Sequence, residues 1–378
     1  MVVRTVINLP RRFAFPFIPE ISRQLHISLA SVQGVIATQS GSGIIAPVFT
    51  PLSDRRGRKQ TMMLAVGMLA GGALGGALFP SFAAFYVVMV FLGIAKIIYD
   101  PAAHAYIGDR ISYNRRGAAI GIVELSWSLS LIISAPMAGI LLDLSGLSAI
   151  FACISALAAL SLVGIWLILP GDRPIEATAK RQRRDVSNWR ILMRNPAAVA
   201  ALVYAATLSS GGEIMLIVYG AWMENSFEIV LTTLGLVTIV IALAEVVGEL
   251  TVIGLSDRIG KQRLTVYSAM LASICYFLLP FIGVNLIVAL ATIFVLFIGV
   301  ESAIVTSFSL FTEVLPEARA LMITSIWSAH AIGRFLGATL GGIIYAEATA
   351  GFTAAMMVSA GLTALATFTL WRFVPDYD

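Results

Sequence analysis

Leu52-Ser53-Asp54-Arg55-Arg56-Gly57-Arg58-Lys59 returns later in the chain as Leu255-Ser256-Asp257-Arg258-Ile259-Gly260-Lys261-Gln262. The offset is 257 − 54 = 203 residues, more than half of a 378-residue chain. The same offset relates Arg116-Gly117 to Arg319-Ala320, and Gly139-Ile140 to Gly342-Ile343. Both copies of the charged phrase stand between long apolar stretches. One constant offset at three places points to two similar halves in parallel orientation, a duplicated membrane protein.

Composition leads to the same class. The mean hydropathy is +0.91. Hydrophobic residues make up 58% and charged residues 12%, against about a quarter charged in an ordinary soluble domain. The apolar runs are about 20 residues long, enough for a helix to cross ~30 Å of hydrocarbon. Only helices or closed barrels satisfy their backbone groups there, and continuous rather than alternating runs select helices. The net charge of +4 does not point to nucleic acid, because the basic residues lie in short turns between spans. Cys153 and Cys275 fall inside apolar spans and read as small core residues rather than a disulfide or zinc site. His26, His104 and His330 lack metal-ligand spacing. The N-terminal run has no small-residue cleavage site and carries Arg11 and Arg12 in its middle, so it reads as a span.

The expected fold is an all-α integral membrane protein with twelve transmembrane helices in two pseudo-symmetric six-helix bundles. The spans fall near 2–24, 30–52, 60–80, 83–107, 117–142, 148–170, 196–222, 230–255, 264–283, 286–310, 319–345 and 350–372. The first bundle occupies 1–170 and the second 196–378. The polar segment 171–195 between them, with Lys180-Arg181-Gln182-Arg183-Arg184, reads as a cytoplasmic linker. Lys and Arg concentrate in the turns after even-numbered spans, which puts both termini in the cytoplasm of a cell-membrane protein.

The charged phrase resembles the signature that follows helix 2 in the major facilitator superfamily of secondary transporters. Leu52, Ser53, Asp54, Arg55, Gly57, Arg58 and Lys59 match it, and Thr50 replaces its leading glycine. The second copy keeps Leu255, Ser256, Asp257, Arg258, Gly260 and Lys261. Asp100-Pro101-Ala102-Ala103, leading to Gly108-Asp109-Arg110 and Arg115-Arg116-Gly117, resembles bacterial efflux-type members. The family's helix-4 arginine has Lys96 in its place, and its antiporter phrase survives only as Pro136 and Gly139. The resemblance implies a cytoplasmic latch built from Asp54, Arg55, Gly57, Arg58, Arg110, Asp257, Arg258 and Gly260; the plainer alternative is that the arginines only set topology.

Ionisable residues inside spans are costly in lipid and normally face the bundle interior. Lys96, Asp100 and His104 recur every four residues and share a helical face. Asp100, Glu124 and Glu301 are candidate proton carriers, since a buried carboxylate can bind and release protons near neutral pH. Arg12, Lys96, Trp127, His330 and Arg334 are candidate substrate contacts. Arg11 and Arg12 stand near mid-depth of the first span, or among headgroups if that span starts later. Glu213, Glu245 and Glu249 read as transport residues or as satisfied packing polars. Trp127, Trp222, Trp327 and Tyr99 suit an amphipathic ligand, or serve as packing and interface anchors. Gly67, Gly71 and Gly75, like Gly333, Gly337 and Gly341, form stripes that let helices approach closely.

No Gly-x-x-x-x-Gly-Lys-(Ser/Thr) occurs, so ATP does not power this chain, and no cofactor or metal is expected. The favoured function is proton-coupled efflux, by antiport, of drug-like or sugar-like molecules. The partners are then a small solute, protons and the lipid bilayer, and the chain acts as a monomer. The alternatives are a proton-coupled symporter importing an anionic metabolite, anchored by Arg12 or Arg334, and a receptor or scaffold without flux. No catalytic motif stands out, and an enzyme is not expected.

Overall fold

In hydrocarbon the peptide groups have only one another as partners, and the described chain is helix without strands. The computed structural model describes residues 1–45, 49, 56–110, 122–171, 189–347 and 351–376. Its helices are α1 (Val2–Ala14), α2 (Ile18–Leu25), α3 (Leu29–Gly41), α4 (Arg58–Leu78), α5 (Phe82–Arg110) and α6 (Ser126–Ile168). They continue as α7 (Trp189–Arg194), α8 (Pro196–Phe227), α9 (Leu231–Ile259), α10 (Lys261–Ile282), α11 (Leu286–Val314), α12 (Arg319–Glu347) and α13 (Gly351–Phe373). Each of the twelve expected spans contains helix, and eight helices among the described residues are long and apolar enough to cross a membrane.

Three departures from the expected spans have local causes. The first span breaks between α1 and α2, where Pro16 interrupts the ladder and Pro19 sits in the first turn of α2. The fifth and sixth spans, grouped as α6, are two helices that meet directly at Gly146, whose φ of 74° and ψ of −172° are non-helical. A break there frees peptide groups, and the Gln24 amide takes two of them. Its Oε1 accepts from Leu147 N–H at 2.7 Å, and its Nε2 donates to Leu142 C=O at 3.3 Å. The end of the expected linker is the short helix α7, whose Leu192 is buried in the apolar core around Tyr204 and Phe311.

The chain divides into two compact units, Met1–Glu176 with Met223–Ile239, and Ala177–Trp222 with Val240–Asp378. In the first, α4 packs on α5 and α6, and α1 on α6. In the second, α10 packs on α11 and α13. The segment 223–239 joins the first unit through backbone-close contacts. A Cβ at Gly235 would stand 2.5 Å from Ala135 O, and one at Gly139 would stand 2.7 Å from Leu231 O. Arg23 adds an ion pair to Glu224 at 2.6 Å.

The duplication extends to backbone detail. Gly57 and Gly260, 203 positions apart, precede α4 and α10 with φ 93° and 92°, a conformation that side chains resist. Two residues on, Lys59 Nζ donates to Trp166 O at 2.9 Å and Leu169 O at 2.6 Å. Gln262 Nε2 donates to Val374 O at 2.6 Å. Each repeated phrase thus caps the last helix of its own half, where carbonyls lack helical partners.

One glycine stripe packs as expected and the other does not. Cβ atoms at Gly333 and Gly337 would stand 2.1 and 2.4 Å from the carbonyl oxygens of Ala206 and Ser210, so α12 lies against α8 nearly backbone to backbone. Gly67, Gly71 and Gly75 have nothing within 4 Å. The close contacts on α4 are one position further on, at Gly72 beside Phe91 and Gly76 beside Phe151. The packed face of α4 is rotated by one residue from the stripe read in the sequence, and the three glycines face outward. Gly333→Leu is therefore expected to lower the melting temperature of the solubilised protein by on the order of 5 °C. Gly71→Leu is expected to leave it almost unchanged, and equal effects would contradict the packing described.

Candidate functional site

The ionisable residues of the first unit are gathered by α1 and α5. Lys96 Nζ meets Asp100 Oδ2 at 2.7 Å, as the four-residue spacing requires. A partner that sequence reasoning missed completes the group. Arg4 Nε reaches Asp100 Oδ1 at 3.1 Å, and Arg4 Nη1 reaches Glu124 Oε2 at 2.8 Å and donates to Val123 O at 3.0 Å. Asn8 Oδ1 accepts from Lys96 Nζ at 2.6 Å. His104 Nε2 lies 3.0 Å from Glu124 Oε1. Arg4, two turns before Arg12 on the same helix, thus links both carboxylates. The signal was present in the sequence: Arg4, Asn8 and Arg12 recur every four residues on α1, as Lys96, Asp100 and His104 do on α5.

The two carboxylates are not equivalent. Asp100 is bracketed by two cations, Arg4 and Lys96, so a proton on it would leave Lys96 without its carboxylate, while Arg4 keeps Glu124. Glu124 shares Arg4 with Asp100 and has 38% side-chain exposure. A proton on Glu124 leaves Arg4 still paired to Asp100.

Trp127 collects a second group. The Arg12 guanidinium carbon stands 4.4 Å from its ring centroid, Lys96 Nζ 5.6 Å and the Arg11 guanidinium carbon 5.9 Å. Cations at this range are held by the ring quadrupole. Arg12 is only 2% exposed, which fixes a planar fork suited to carboxylate. That burial places the Arg12 side chain inside the protein rather than on its outer surface.

In the second unit, His330 on α12 and Ser209 on α8, 121 residues apart, form a buried pair with Nδ1 and Oγ 2.5 Å apart. Phe308 and Trp327 stack beside them with centroids 4.7 Å apart. Arg334 follows His330 by one turn and is half-buried. Glu301 supports packing: a Cβ at Gly248 would stand 2.8 Å from its Cβ, and neighbouring Ser302 Oγ donates to Gly248 O at 3.1 Å. Glu213 and Glu245 are buried. Trp222 stacks on Phe352 at 4.0 Å and Tyr99 is buried.

The charged turns are described in part. Asp54 and Arg55 lie outside the described residues, as does the Asp257 side chain. Arg58 Nε reaches Asp109 Oδ2 at 3.3 Å. Arg110, expected to pair with a carboxylate, donates instead to the carbonyls of Pro170 and Gly171 and lies over the Tyr106 ring at 4.6 Å. Those carbonyls follow the end of α6 and attract a cation as the helix dipole does. Arg258 is exposed.

A family model described as the Major Facilitator Superfamily matches residues 1–299. The uncharacterized MFS-type transporter YceJ of Bacillus subtilis (strain 168) is 24% identical over 351 residues, 91% of this chain and 88% of that one. A multi-drug resistance efflux pump PmrA homolog of Lactococcus lactis subsp. lactis (strain IL1403) is 24% identical over 283 residues, 71% of this chain and 67% of that one. A putative tartrate transporter of Agrobacterium vitis is 25% identical over 320 residues, 77% of this chain and 70% of that one. The crystal structure of a D-xylose-proton symporter superposes with a TM-score of 0.79 at 15% identity, covering 99% of this chain and 97% of that one.

The ion cluster makes a stability prediction. Arg4→Gln removes the cation shared by Asp100 and Glu124, and breaking a buried pair is costly even where Lys96 remains. The expected loss is about 3 kcal/mol, read as a lower melting temperature in detergent. Arg23→Gln, at an exposed pair, should cost under about 1 kcal/mol. A melting temperature unchanged in Arg4→Gln would contradict the cluster.

Proposed function

The chain belongs to the Major Facilitator Superfamily, a family of multi-pass membrane transporters, and from that premise we propose that its solute is a small organic anion. The observation that carries this reading is the convergence of Arg11, Arg12 and Lys96 on the Trp127 ring. Cationic heads with donor forks around an aromatic floor are matched by a carboxylate on a small carbon frame. The solute is carried by alternating exposure to the two sides of the membrane, and protons supply the driving force. Among the three carboxylates weighed as carriers, Glu124 is the one whose protonation leaves its neighbours paired, with His104 as the relay. The name of the tartrate relative supports an anionic solute.

Efflux of drug-like molecules is the second reading, supported by the efflux-like residues of α5 and by the name of the Lactococcus relative. The chain is a transporter rather than an enzyme. The Lys and Arg asymmetry of the turns supports a place in the cell membrane with both termini in the cytoplasm. The buried cluster of Arg4, Lys96 and Asp100 is formed by residues of one chain, which supports function as a monomer. The Arg58–Asp109 pair supports a latch at the charged turns.

Reconstituted vesicles with an imposed pH gradient test the proposal. Gradient-driven flux of a radiolabelled monocarboxylate is expected, with Arg12→Gln lowering it about tenfold or more. Glu124→Gln should abolish the gradient-driven part while solute exchange persists. Flux of a cationic drug with no flux of carboxylates would overturn the anion reading, and the direction of flux against the proton gradient separates symport from antiport.

A further inference from the structure

The buried imidazole of the second unit has one nitrogen engaged and one left over. His330 is 1% exposed. Its Nδ1 meets Ser209 Oγ at 2.5 Å. Its Nε2 has no hydrogen-bond partner among the described residues. A buried polar atom left unsatisfied costs about 1–3 kcal/mol, more in a membrane protein where water is scarce, so its retention calls for a partner that arrives from outside the chain. The surroundings narrow the class of that partner. Phe308 stands 5.5 Å from the imidazole, centroid to centroid, and stacks on Trp327. Trp327 is 45% exposed. A flat aromatic surface beside a hydrogen-bonding nitrogen receives a molecule with both C–H faces and hydroxyl groups.

The duplication gives this position a second meaning. Because 330 − 127 = 203, His330 occupies in the second half the place of Trp127 in the first. By the same arithmetic, 327 − 124 = 203, Trp327 corresponds to Glu124. The aromatic and the polar residue have exchanged places along otherwise matching helices. Each half therefore presents one aromatic ring and one polar group at the same two positions. In the first half the polar environment is cationic. In the second it is a neutral Ser–His pair, with Arg334 one turn away.

We propose that His330 Nε2 binds a hydroxyl group of the transported solute, that Ser209 is the positioning residue which holds the ring for it, and that the solute therefore carries hydroxyl groups. A hydroxyl suits either tautomer. If Ser209 donates to Nδ1, the proton sits on Nε2 and the solute oxygen accepts; if Nδ1 donates, the solute hydroxyl does. That the solute is also an anion rests on the function proposed above, whereas the hydroxyl contact does not.

The test compares three probes on the full-length purified protein. Gluconate carries a carboxylate and hydroxyls, hexanoate the carboxylate alone, and sorbitol hydroxyls alone. The wild-type protein is expected to bind gluconate about tenfold tighter than hexanoate, the scale of one well-made hydrogen bond. His330→Ala should weaken gluconate about tenfold and leave hexanoate within about twofold, which erases the discrimination. Ser209→Ala retains the imidazole but frees its orientation, so it should weaken gluconate about threefold, and it serves as the test if His330→Ala fails to fold. Equal weakening of gluconate and hexanoate, or no change in either variant, overturns the proposal. So does a wild-type protein that binds neither hydroxylated probe. If sorbitol binds in a His330-dependent way while both carboxylates bind no better than it does, the anion reading fails and the hydroxyl contact stands.

Discussion

Charge inside hydrocarbon must be answered by charge, and the first unit is organised around that constraint. An isolated arginine or aspartate at mid-depth is expensive, yet α1 and α5 bring several such residues to one place. Asp100 between Arg4 and Lys96 is the centre of the arrangement. The contacts that cross between the helices, Arg4 to Asp100 and Lys96 to Asn8, fix the rotation of α1 against α5, because turning either helix by one residue would break both. Asn8 and Glu124 extend the same network. With the axis of α1 set in this way, Arg12 is delivered to Trp127 one turn beyond Asn8. The functional group follows from a structural obligation.

Much of this was legible in the amino-acid sequence because it is periodic. The constant offset revealed the duplication, and the left-handed glycines at 57 and 260 are its backbone signature. The Lys96–Asp100 pair followed from spacing alone. Other features need a second helix to be known. Arg4 finds its partners 96 and 120 residues away, and Ser209 lies 121 residues from His330. Spacing along one helix carries no information about either. The glycine stripe of α4 shows the same limit from the other side. Its period is right for a packing face, but Gly72 and Gly76 carry the contacts, since neighbouring large side chains such as Phe91 and Phe151 decide which face is used.

The two units divide the chemistry of recognition. The first supplies fixed positive charge around an indole. The second supplies a neutral hydrogen-bonding pair beside a stacked aromatic surface. Such a division is what duplication followed by divergence produces. The scaffold elements stay equivalent, as Lys59 and Gln262 show by capping matching helices, while the residues proposed to meet solute differ.

The most direct test of the central claim is optical. A variant that keeps Trp127 and replaces the other five of the six tryptophans with phenylalanine reports on that ring alone. Titration with a small organic anion should produce a saturable change in its emission, and a neutral amide of the same shape should not. An emission spectrum indifferent to anions, at concentrations where the vesicles show transport, would mean that Trp127 and its cations are not where the solute binds.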